Sequence, residues 1–175
     1  PTAPEESCTL STIWLRVFPA VLALSALQVA CRPADRPEIS LRWLAPGVRS
    51  QDLSTLRRPP LGEIVVADDA ILGYDAASHC LVVTETAWRQ VTEHQVPVSG
   101  VPLALCLDDE PVVIGALWTP ISSLAFDGVV IMAMFSEPGR LCLEWGYPGP
   151  LSKPSSDPRD DARLLRAFRD SGRLR

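Results

Sequence analysis

Val101 to Phe135 reads VPLALCLDDEPVVIGALWTPISSLAFDGVVIMAMF, and this stretch decides the fold. Three apolar runs are broken once by Asp108-Asp109-Glu110-Pro111 and once by Trp118-Thr119-Pro120-Ile121-Ser122-Ser123. The runs Leu103–Leu107 and Pro111–Leu117 are rich in Val, Leu and Ile and have the length of strands, not of full helices. Both alternating faces of each run are apolar, which predicts inner strands covered on two sides. The polar break between them predicts a tight hairpin, with Asp supplying the left-handed conformation such a turn needs. Asp127-Gly128 then leads into a third buried run from Val129 to Phe135.

The chain has 175 residues, of which 47% are hydrophobic and 21% charged, and this balance excludes general disorder. Charge is unevenly placed. Between Pro59 and Gly139 there are eleven acidic residues and one basic residue, Arg89, whereas from Arg140 onward eight basic residues face five acidic ones. An acidic middle is unsuited to phosphate contacts, so nucleic acid is excluded as a partner of that surface. Its complement is a cationic partner or the basic end of the same chain.

Upstream, Glu38–Ala45 alternates as a first strand, and Ser50 is positioned to cap a short helix to Arg58 that Pro59-Pro60 stops. Leu81–Val83 reads as a strand. Thr84 is a natural N-cap for a helix from Glu85 to about His94, with Ala87, Trp88 and Val91 as its buried stripe. Leu141 to Trp145 gives a last strand. Gly146–Pro158 reads as a linker, and Asp157 with Pro158 starts a short Arg-rich helix, either a partner- or membrane-binding element or a loosely packed surface helix. The expected architecture is α+β: one domain, residues 38–147, with a mixed or antiparallel sheet backed by helices near 50–58 and 85–94. Residues 148–175 are expected to lie outside it.

At the beginning of the chain, Val17–Ala30 is uncharged and apolar over the length of a signal-peptide core, short of a membrane span. Residues 1–30 are therefore expected to direct export, with 31–37 as a tether. Cys31 follows Val29-Ala30 and resembles the lipidated cysteine of bacterial lipoproteins, although Gln28 stands where those motifs favour Leu. Lipidation at Cys31 and plain cleavage near Ala30 are both open. The five cysteines lack the spacing of a metal site, and no cofactor or metal is expected. Cys106 and Cys142 fall in strand-like runs and read as buried free thiols.

No residue set spells out a reaction. The unusual content of the Trp118–Ser123 connection makes Trp118, Thr119, Ser122, Ser123 and Asp127 the candidate binding residues. A serine hydrolase using Ser122 or Ser123 with His79 or His94 as base is the alternative. Asp108, Asp109 and Glu110 have no calcium-loop spacing and read as a solvated turn.

The runs Thr84-Glu85-Thr86-Ala87-Trp88 and Gly100 to Val113 resemble the head subdomain in the first periplasmic region of the SecDF export subunits, where a Thr-x-x-Ala helix precedes a strand, an Asp-Gly turn and a Val-rich return strand. Asp109 replaces the turn Gly, and the Trp118–Ser123 segment has no counterpart. The resemblance implies a related α+β module on a small exported protein. The expected role is that of a bacterial envelope protein, periplasmic or lipid-anchored, that binds a polypeptide or another envelope component without catalysis.

Overall fold

The structure is a computed structural model that describes residues 36–152 and 155–175. The export segment and Cys31 lie outside the described residues. Among the described residues, nine strands form two sheets. They are β1 (Ile39–Leu44), β2 (Leu61–Val66), β3 (Ile71–Asp75), β4 (Cys80–Val83), β5 (Val101–Leu107), β6 (Glu110–Trp118), β7 (Phe126–Met132), β8 (Arg140–Cys142) and β9 (Glu144–Tyr147). Two helices accompany them, α1 (Glu85–Thr92) and α2 (Ala162–Asp170). The larger sheet runs β2-β1-β5-β6-β7-β9 and the smaller β3-β4-β8. Only β6 and β7 are parallel, so the larger sheet is mixed and the smaller antiparallel. The α+β class is as the sequence indicates.

The central hairpin forms for the expected reason. Asp108 takes the left-handed conformation (φ 53°) between β5 and β6, and its carboxylate accepts the Glu38 N–H at 2.9 Å. Apolar faces on both sides of β5, β6 and β7 are also accounted for. Leu103, Leu105, Leu117, Val129 and Ile131 face the main core, shared with the smaller sheet and both helices. The alternate residues Ala104, Cys106, Ala116, Trp118, Val130 and Met132 face the other way, where Leu53, Phe126 and Tyr147 cover them. Burial holds the Cys106 thiol pushed up to about 11. It is a free, buried thiol, as expected.

Helix α1 matches its reading: the Thr84 hydroxyl accepts the Ala87 N–H, and Ala87 and Val91 are buried. Three other readings are corrected. The 50–58 helix is only a 3-10 turn at Ser50–Asp52, and Ser50 makes no cap bond. So short a segment cannot sustain a helix alone, and packing sends Leu53 onto the second face of the larger sheet instead. Cys142 is not a free thiol but is bridged to Cys80, its cross-strand neighbour in β8–β4. The C-terminal segment is not a loose appendage. Asp157 caps a 3-10 turn, Asp161 caps α2, and Leu164, Ala167 and Phe168 enter the main core, with Phe168 stacked on Tyr74 at 5.1 Å.

The basic end of the chain meets the acidic middle directly. Asp68 is buried, and its carboxylate accepts from Arg173 at 2.7 Å, Arg36 at 3.0 Å and the Ile39 N–H at 3.0 Å. Burial raises the Asp68 pKa, but the Ile39 N–H and Arg173 outweigh it and hold the group below 3.8. Asp157 and Asp161 are held low chiefly by hydrogen bonds from Arg159 and Arg163. A carboxylate with a depressed folded pKa contributes stability above its unfolded pKa and loses it as pH falls through the folded value. The unfolding temperature is therefore expected to be flat from pH 7 to about 5 and to drop below pH 4. Asp68→Asn should cost about 3 kcal/mol at pH 7 and flatten that acid limb, measured by thermal melts across the range.

Candidate functional site

The second face of the larger sheet is incompletely covered, and the opening lies at the connection singled out in the sequence. Trp118 ends β6 with 2% of its surface exposed, stacks on Phe126 at 5.1 Å and tilts against Tyr147 at 5.9 Å. Gly100 lies directly against the indole. It has φ +73°, and a Cβ there would strike the six-membered ring of Trp118. Only glycine satisfies both conditions at once.

The connection after Trp118 is pinned and does not flap. The Tyr147 hydroxyl reaches the Pro120 carbonyl at 2.7 Å and the Ser122 carbonyl at 3.2 Å. The Ser122 hydroxyl donates to the Val98 carbonyl at 2.5 Å and accepts the Leu124 N–H at 3.1 Å. Thr119 and Ser122 are buried in this turn, while Ser123 and Asp127 are exposed. Val98, Ile121 and Leu124 are exposed on and next to this turn, where Ser122 holds the Val98 carbonyl.

Two adjoining grooves open beneath this turn. One, of about 240 Å³, is lined by Ser50, Gly100, Pro102, Trp118, Leu124 and Phe126. The other, of about 500 Å³, continues past Gln51, Leu53, Phe126, Asp127 and Trp145. They share Ser50, Gln51, Ala125 and Phe126, so the two lie side by side. Asp127 also accepts the Ser152 hydroxyl at 2.6 Å on the rim. Three buried side-chain polar atoms lack a hydrogen-bond partner among the described residues: Ser50 Oγ, Trp118 Nε1 and Trp88 Nε1. Two of the three belong to groove-lining residues. Buried polar groups are nearly always paired, and each orphan costs about 1–3 kcal/mol.

Of the residues expected at a site, Trp118 and Asp127 line the groove, whereas Thr119, Ser122 and Ser123 build the turn above it. Ser50, Gln51, Gly100 and Phe126 were not singled out. Among the described residues, no hydrogen bond joins Ser122 or Ser123 to a histidine. His79 Nε2 is bonded to Asp160, and His94 stacks on Trp43 at 4.7 Å. The acids of the central hairpin are likewise engaged, Asp109 by Arg42 and Glu110 by Arg163. No family model, curated protein or solved structure matches the chain.

Proposed function

We propose that this is an exported envelope protein whose groove beneath the Trp118–Ser123 turn binds an extended polypeptide without chemical turnover. The observation that carries the reading is one open groove with apolar walls, among whose lining residues are Ser50 and Trp118, each holding a buried polar atom that lacks a partner. An indole N–H can only donate, and a backbone carbonyl is the acceptor that an extended peptide offers at regular intervals. Phe126, Pro102 and Leu124 accept apolar side chains beside it. The open shape suits a chain laid along the groove better than an enclosed small molecule.

Export is supported by the Cys80–Cys142 bridge, which fits an oxidising compartment, and by the apolar run Val17–Ala30. No helix among the described residues is long and apolar enough to cross a membrane, so attachment to one falls to the N-terminal segment or to a lipid on Cys31. The order α1, β5, hairpin, β6 is the order that the likeness to the SecDF periplasmic head implies.

The test is fluorescence anisotropy of a labelled, reduced and carboxymethylated polypeptide titrated with the full chain. Leu124→Glu places a charge on the groove rim at a residue already 49% exposed, and should weaken binding about tenfold or more. Met134→Glu, at a site 70% exposed and outside the groove, should bind as the parent does. No binding by the parent chain, or equal loss in both variants, contradicts the proposal.

A further inference from the structure

We propose that His79, Asp157 and Asp160 form a binding site for a divalent cation of the zinc class, joining the β3–β4 hairpin to the C-terminal segment. It does not rest on the peptide-groove reading, although Pro158, between the two carboxylates, lines the larger of the two cavities. His79 sits in the turn before β4, and of the two carboxylates Asp157 caps and Asp160 ends the 3-10 turn Pro158–Asp160 that leads into α2. One ligand atom from each residue lies within 4.8 Å of the other two, and His79 Nε2 is 3.0 Å from an Asp160 oxygen. Zinc holds imidazole nitrogen and carboxylate oxygen at about 2.0–2.2 Å, so ligand atoms around one ion stand roughly 3.4 Å apart, close to the spacing that His79 and Asp160 already have. Asp160 and His79 retain part of their surface, which gives an ion a way in.

An imidazole with two carboxylates is a donor set of borderline softness. It favours zinc over calcium or magnesium, which take oxygen donors, and over sulfur-seeking copper(I). Three protein ligands leave a fourth position for water or a partner's side chain. Asp157 is also held by the Arg159 N–H and by its guanidinium, which reaches on to the Leu143 carbonyl. Hydrogen bonds to a ligating carboxylate orient it, as outer partners do in metal sites generally. The arginine charge opposes the ion, so the site holds it more weakly than a permanent structural zinc is held. Filling the site would fasten α2 and its turn to the hairpin that carries Cys80, and occupancy would follow the metal content of the compartment.

The experiment is zinc titration of the full chain by calorimetry and thermal melting, with zinc-edge X-ray absorption of the loaded protein. His79→Asn and Asp160→Asn are the variants. Asn tolerates the left-handed backbone of His79 (φ 54°), so the first keeps the turn intact. Expected are one zinc bound per chain, a melting temperature raised by zinc, a shell of nitrogen and oxygen only, and weakening by about tenfold or more in each variant. Equal zinc binding in the variants, sulfur in the shell, or no heat and no shift at 100 µM zinc (roughly a hundred times a micromolar dissociation constant) overturns the site.

Discussion

Reducing the Cys80–Cys142 bridge is expected to lower the stability of the domain by about 4 kcal/mol and its unfolding temperature by roughly 12 °C. The bridged residues lie 62 apart, and the loop they close contains α1 and β5 to β7, most of the larger sheet. Cross-linking so long a loop removes much of the freedom of the unfolded chain, which is the source of the figure. The bridge also secures the smaller sheet, where β8 pairs with β4 over only three residue pairs. The double variant Cys80→Ser/Cys142→Ser avoids a stray thiol and should melt at the temperature of the reduced protein. Calorimetry with and without reductant measures both. A change below about 1 kcal/mol would mean that the two cysteines are not joined in the native protein.

Gly115→Ala is expected to have a comparable or larger effect, more than about 3 kcal/mol, and to leave little folded protein. Gly115 faces Val129 at the parallel pairing of β6 with β7. A Cβ at this position would land on the Val129 carbonyl, which is backbone and cannot turn aside as a side chain end can. Relief requires the two strands to part, and both are buried on both faces by the main core and by the Trp118 layer. Gly149→Ala, which meets nothing within 4 Å, is the matched comparison and should stay within about 0.5 kcal/mol of the parent. Denaturant melts of the two variants decide the matter. A Gly115→Ala protein of parental stability would show that β6 and β7 do not pair in this register.

The parts of the fold legible in the sequence are those fixed by near neighbours. The β5–β6 hairpin is announced by two strand-length apolar runs around Asp108-Asp109, and α1 by Thr84 ahead of Ala87 and Val91. Apolar character on both strand faces also signals a second covered side. What covers that side is not legible, because the Ser50–Leu53 segment reaches it only by folding back across the sheet. Ser50, Gln51 and Phe126 were missed for this reason, whereas Trp118 and Asp127 stand out by their own chemistry in an odd connection. The place of α2 was hidden by the Gly- and Pro-rich stretch before it: its stripe is short, and its partner Tyr74 lies far away in the chain. The Cys80–Cys142 pairing and the approach of His79 to Asp157 and Asp160 are equally remote in sequence.

Two-dimensional nitrogen–proton NMR decides whether the groove at Trp118 receives an extended polypeptide. The indole N–H signal of Trp118, assigned by its disappearance in Trp118→Phe, is followed while an unfolded, carboxymethylated polypeptide is added. The account predicts that this signal moves downfield as the N–H gains an acceptor, together with the backbone signals of Ser50, Gln51 and Phe126. An unmoved Trp118 signal, or shifts confined to another face of the domain, would contradict it.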